Sequence, residues 1–217
     1  MQSDKAQNEI NRRKRLFVME NGKADLIARI IRVITVPPVL VTVFLLVLHR
    51  TDPEVFLVPG SLSVTIAGLG LFPVLAYAVW AVIPGFRKRG RVMQRRLAFV
   101  FSLIGYVGTF VYGRAAFVSR ELKLIHMCYL LSAVILAVLN YIFKIKASGH
   151  ACSVTGPLAL SIYFIGWAAL GPCLVIEAAS FWASLRTRRH TSMQLISGIL
   201  TALASFGACV WLSGLHI

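Results

Sequence analysis

A chain of 217 residues that is 58% hydrophobic and 14% charged, with a mean hydropathy of +0.76, is too apolar for a soluble domain, in which about a quarter of residues carry charge. The net charge of +15 would suit a nucleic-acid binder, but the cations sit at the ends of apolar runs, where anionic headgroups and phosphorylated ligands account for them. The four cysteines, Cys128, Cys152, Cys173 and Cys209, lie inside apolar runs without CxxC spacing and read as small packing residues, which argues against a disulfide framework or a thiolate metal site.

In chain order, residues 1–29 form an expected basic N-terminal arm, with the run Arg12-Arg13-Lys14-Arg15 drawn to lipid headgroups. It lacks the form of a signal peptide, because the apolar run starts near residue 30 and no small-residue cleavage site follows. Residues 30–217 form one membrane-embedded domain. Apolar runs of about 17–25 residues place helices at 30–48, 62–85, 97–113, 124–143, 151–168, 171–187 and 191–214. The expected fold is therefore all-α, a polytopic membrane bundle of about six to seven transmembrane helices. Pro37-Pro38 and Pro73 should bend the first two helices. Gly166 and Gly171-Pro172 divide 151–187 into two helices joined near 169–170, which returns His150 and His190 to one face of the membrane.

The connections then alternate. The N-terminal arm and the loops 86–96, 144–150 and 186–190 share one side. Only Arg50, Arg114, Arg120 and Lys123 of the 23 lysines and arginines fall on the other. The excess of cations assigns the first side to the cytoplasm, with the protein expected in the plasma membrane.

Two polar clusters punctuate this pattern. Lys144-Ile145-Lys146-Ala147-Ser148-Gly149-His150 closes one apolar run, and Arg186-Thr187-Arg188-Arg189-His190-Thr191-Ser192-Met193-Gln194 closes a later one. His150 and His190 each open a helix, where unpaired N–H groups and the helix dipole favour an anion. Ser148 adds a hydroxyl, and Gly149 lets the backbone approach an oxygen closely. A histidine pair near neutral pH can supply both a nucleophile and a general acid. Lys88, Arg95 and Arg96 in the 87–96 run, one of Lys144 and Lys146, and Arg186, Arg188 and Arg189 are candidate phosphate-binding cations. Gln194, four residues beyond His190, can accept the proton of one ring nitrogen and fix the tautomer.

Basic loop, Ser-Gly-His and a basic stretch ending in histidine, in that order, resemble the type-2 phosphatidic acid phosphatase superfamily over roughly residues 86–205. The family pattern is Lys-x6-Arg-Pro, Pro-Ser-Gly-His and Ser-Arg-x5-His-x3-Asp. The resemblance implies a nucleophile at His190, a general acid at His150, and phosphate contacts from Lys88, Arg95, Ser148 and Gly149. It also implies metal-independent hydrolysis of a membrane lipid phosphate or prenyl (di)phosphate through a phosphohistidine, with no cofactor, no metal ion and no nucleic acid. The chain departs from the pattern at four places: Arg96 and Ala147 replace prolines, Ser184 stands at the family arginine, and Gln194 stands at the family aspartate.

Two other readings stay open. Ser184 and Gln194 fit a non-hydrolytic lipid-phosphate binder, and Glu177, the one carboxylate deep in an expected span, fits a small transporter. Packing against Ser180 or a neighbouring hydroxyl is the simpler account of Glu177. His126 reads as an interfacial or packing residue, and His49 and His216 as helix-end residues.

Overall fold

The computed structural model describes residues 22–214, and every regular element among them is helical. The basic run at 12–15 and His216 lie outside the described residues. Among the described residues, five helices are long and apolar enough to cross a membrane: Ser61–Val82, Val92–Ala115, Arg120–Ile142, Trp167–Arg186 and Ser192–Ser213. A sixth candidate is a bent pair, α1 (Gly22–Ile34) and α2 (Pro37–Thr51), which meet at 53°.

The expected bend at Pro37-Pro38 is present, while the expected bounds of 30–48 are corrected: the helix before the bend runs from Gly22 and the one after it to Thr51. Pro37 and Pro38 offer no N–H, and the ring of a proline disfavours helical backbone in the residue before it. Val36 is accordingly extended at φ −62°, ψ 137°, and Pro37 starts α2 afresh. The result is a separate N-terminal helix that begins inside the expected arm. At Pro73 the helical run is continuous. α3 (Ser61–Ile66) and α4 (Phe72–Val82) form one rod through a π turn at Ala67–Leu71, and that turn admits Pro73 without breaking the run. After the short α5 (Pro84–Lys88), α6 (Gly90–Ala115) packs along the rod. Their backbones cross closely at Gly68 and Gly105, where a Cβ on either residue would strike the other's carbonyl group.

The remaining helices are α7 (Arg120–Ala137, extended by a π turn to Ile142), α8 (Gly149–Ile165), α9 (Leu170–Arg186) and α10 (Ser192–Ser213). The split of 151–187 into two helices holds, but the break lies at Gly166, one turn before the expected 169–170. Gly166 adopts φ +88°, a conformation closed to most residues with a side chain, and a 3₁₀ turn at Trp167–Ala169 leads into α9. Pro172 then sits in the first turn of α9, where a missing N–H costs nothing.

α8 is short for a span but central. It packs against α2, α7, α9 and α10, and buries Ala151, Cys152, Val154, Thr155, Leu158 and Leu160. The main core joins Leu45 and Leu48 of α2, Leu122 and Ile125 of α7, Leu160 of α8 and Cys209 of α10. His126 belongs to this core: its Nε2 lies 2.9 Å from Thr65 Oγ1, and it is 1% exposed. His49 stacks edge-on against Phe56. The neighbouring hydroxyl that Glu177 meets is that of Thr155 of α8, which donates to its Oε2 at 3.1 Å and ties α9 to α8.

Candidate functional site

Two helix N-termini meet at one end of the bundle. Ser148 caps α8, accepting from Ala151 N at 3.2 Å. Its own backbone N donates to Gln194 O at 2.9 Å, in the first turn of α10. The two turns can approach this closely because residue 198 has no side chain; a Cβ there would overlap the Ser148 carbonyl and sit 3.1 Å from Ala151 Cβ and Cys152 N. A pair of helix starts held by one backbone hydrogen bond fixes where His150 and His190 lie relative to each other.

The approach to His190 is also built locally. α9 ends at Arg186, and the N–H groups of Arg188 and Arg189 return to the carbonyls of Leu185 and Ser184 at 2.9 and 3.2 Å. This is the Schellman arrangement, which asks its middle residue for a left-handed conformation usually taken by glycine. Arg188 occupies it at φ +50°. Thr191 then caps α10 in a reciprocal capping box: Thr191 Oγ1 accepts from Gln194 N, and Gln194 Oε1 accepts from Thr191 N, each at 3.4 Å.

His150 and His190 come within electrostatic reach of each other and of Arg32. Arg95, near the start of α6, and Arg189 also act on His190, and the Gln194 side chain lies beside it. Burial, then the Arg32 guanidinium, holds the His190 imidazole below its ordinary value of 6.5, and the Gln194 side chain opposes that shift. The ring is therefore neutral near pH 7, with a lone pair available for attack. His150 Nε2 is buried with no hydrogen-bond partner among the described residues.

The sequence-derived residues thus separate. His150, His190, Gln194, Ser148, Arg189 and Arg95 converge on this end, with Gly149 exposed beside His150. Arg186 is engaged elsewhere, pairing through Nε with Asp25 Oδ1 of α1 at 2.7 Å. Arg188 is exposed, as are Lys144 (in a left-handed conformation at φ +58°) and Lys146 on the loop before α8. Lys88 is exposed at the surface step between α4 and α5, beside Ala81, Val82 and Pro84.

Arg32 is the residue that sequence spacing did not single out. It counted only as one more cation near the first span, and nothing in the chain links it to position 184. In the fold its Nη1 donates to Ser184 Oγ at 2.9 Å. Gln194 carried a readable signal of another kind, because Thr191-x-x-Gln194 before an apolar run is a capping-box pattern.

No protein-family model, curated protein or solved structure matches this chain. The likeness to the lipid phosphatases rests on the residues themselves.

Proposed function

We propose that the chain is a membrane lipid-phosphate phosphatase that resembles the type-2 phosphatidic acid phosphatases and acts on a phospholipid or prenyl (di)phosphate. The observation that carries this reading is the convergence of two imidazoles from different helix starts amid Arg32, Arg95 and Arg189. The lipid tail stays in the bilayer while its phosphate enters between α8 and α10. The His190 lone pair forms an N–P bond as the P–O bond to the lipid breaks, and His150, entering as imidazolium beside the phosphate anion, delivers its proton to the leaving oxygen. Water then attacks phosphorus and gives a proton back to His150, the N–P bond breaks, and inorganic phosphate, free His190 and the His150 imidazolium result. The cations stabilise the charge on the equatorial oxygens throughout.

The bundle would cross the membrane as six to seven spans, with α1, the site and the N-terminus at the cytoplasmic face of the plasma membrane. The concentration of lysine and arginine at that end supports this orientation. Purified protein in vesicles should release phosphate from phosphatidate, phosphatidylglycerol phosphate or a prenyl phosphate, and His190→Ala should abolish release. Release that persists in His190→Ala excludes the mechanism.

One observation favours a non-hydrolytic binder instead. Gln194 is neutral and its carbonyl oxygen is shared with the capping box, so it supports an imidazolium less well than a carboxylate would. Phosphatidate binding without release of phosphate would select that reading.

A further inference from the structure

Arg32 carries an unmet electrostatic demand. Its guanidinium is partly buried and spends one N–H on Ser184 Oγ, a neutral acceptor that is fully buried. The one carboxylate on α1, Asp25, is committed to Arg186 at 2.7 Å. Glu177 accepts from Thr155. No carboxylate among the described residues pairs with Arg32, and the titratable groups within electrostatic reach of it include Arg189, Tyr77, His150 and His190. A desolvated cation within reach of a second cation, Arg189, is costly unless an anion joins them. A second group within reach of Arg32 is also unsatisfied: His150 Nε2 is buried without a hydrogen-bond partner among the described residues.

The guanidinium presents five N–H groups in a planar fork that matches two oxygens of a phosphate, which a lysine ammonium does not. α1 also carries Leu26, Ile27, Ile30, Val33 and Ile34 exposed, an apolar surface suited to the lipid interface. We propose that Arg32 grips the phosphate group of the ligand through the N–H groups that Ser184 leaves free, so that α1 completes a site otherwise built by α6, α8, α9, α10 and the turn between the last two. The inference rests on the phosphate-site reading given above and deepens it. It assigns the fork to a helix distant in sequence and leaves Ser184, where the related pattern has arginine, as the hydroxyl that aims it.

The full chain is reconstituted in phosphatidylcholine nanodiscs and titrated with inorganic phosphate. In parallel it is reconstituted with phosphatidate, with phosphatidylglycerol matching the surface charge as a control. Binding is read by ³¹P NMR for the wild type, Arg32→Ala, Arg32→Lys, Arg29→Ala and the double variant Arg32→Ala/Ser184→Arg. Losing a charge-assisted fork should weaken binding about 10- to 100-fold in both Arg32→Ala and Arg32→Lys. Arg29→Ala, an exposed cation on the same helix, should bind as the wild type does, and Ser184→Arg should restore much of the loss in Arg32→Ala. Arg32→Lys retains the charge and most of the bulk, so it tests the fork even where Arg32→Ala is poorly folded. Weakening in the inorganic-phosphate arm supports a free-phosphate source, and weakening only in the phosphatidate arm supports a lipid headgroup; either sustains the proposal. Wild-type binding that Arg32→Lys leaves intact overturns the role of Arg32 alone. A wild type that binds neither ligand overturns the phosphate-site reading and this inference with it.

Discussion

Replacing Gly198 by alanine should damage the site without removing any polar group from it. Gly198 lies where α10 crosses the N-terminus of α8, and the atoms its Cβ would meet are unyielding: the Ser148 carbonyl, Cys152 N at 3.1 Å and Ala151 Cβ at 3.1 Å. The Ser148 carbonyl already accepts from Cys152 N, and Ser148 N donates to Gln194 O. An ordinary C···O contact is about 3.3 Å or more, so α10 must withdraw by roughly 1 Å. Overpacking of this kind costs about 1–3 kcal/mol. Each kcal/mol lowers Tm by about 2–4 °C in a chain of this length. A misplacement of about 1 Å between reacting groups can cost on the order of 100-fold in rate. Gly207 on the same helix is the matched control, because a Cβ there meets nothing within 4 Å. Gly207→Ala should leave activity intact and stabilise by up to about 1 kcal/mol through helix propensity. Thermal unfolding in detergent and phosphate release in vesicles measure both variants. If Gly198→Ala proved as stable and as active as Gly207→Ala, the close approach that aligns the two histidines would be refuted.

Three further outcomes follow from the same end of the bundle. His190 is held below 6.5 in the folded protein, so the stability contributed by its neutral ring is present above pH 6.5 and is lost as pH falls through the folded value. Its ring resonances in ¹⁵N NMR, and the acid limb of kcat/KM, should titrate below pH 6.5, and Arg32→Gln should move both upward; titration at or above 6.5 contradicts this electrostatic account. Arg188→Gly relieves a left-handed arginine at the Schellman position and should stabilise by about 1 kcal/mol, read as a raised Tm; a fall in Tm means that the arginine side chain matters more than its backbone. Gln194→Ala should lose about 0.5–1 kcal/mol from the capping box together with turnover, whereas Gln194→Glu should keep the box and raise the His190 titration. Identical behaviour of the two variants would separate Gln194 from His190.

Apolar runs made the spans legible, because hydrocarbon thickness and helix rise set their length whatever the neighbours are. Gly166 was readable as a breaker for the same local reason. Its partner signal, Gly171-Pro172, pointed one turn too far, since proline is as comfortable inside a first turn as before it. α1 was hidden because Ile30, Ile31, Val33 and Ile34 read as the start of the following apolar run, and only the extended Val36 before two prolines separates them. The Ser-Gly-His and Arg-His segments announced the two histidines, but the charge beside them did not follow from spacing. Arg32 meets Ser184 across 152 residues of sequence, a contact that only packing creates. Arg186, adjacent to the motif in sequence, turned instead to Asp25. Gln194 shows the opposite case: its pattern was local and readable, and it serves the backbone of α10 as well as the imidazole.

The central claim is that His190 carries the phosphoryl group, and trapping that group tests it most directly. Protein in vesicles is mixed with ³²P-labelled phosphatidate or prenyl phosphate, quenched in alkali after a few milliseconds, digested and sequenced. The account predicts an acid-labile, alkali-stable label on the peptide bearing His190, present in the wild type, increased in His150→Ala with an activated aryl phosphate ester, and absent from His190→Ala. Phosphate release without label at His190, or label on another residue, would contradict it.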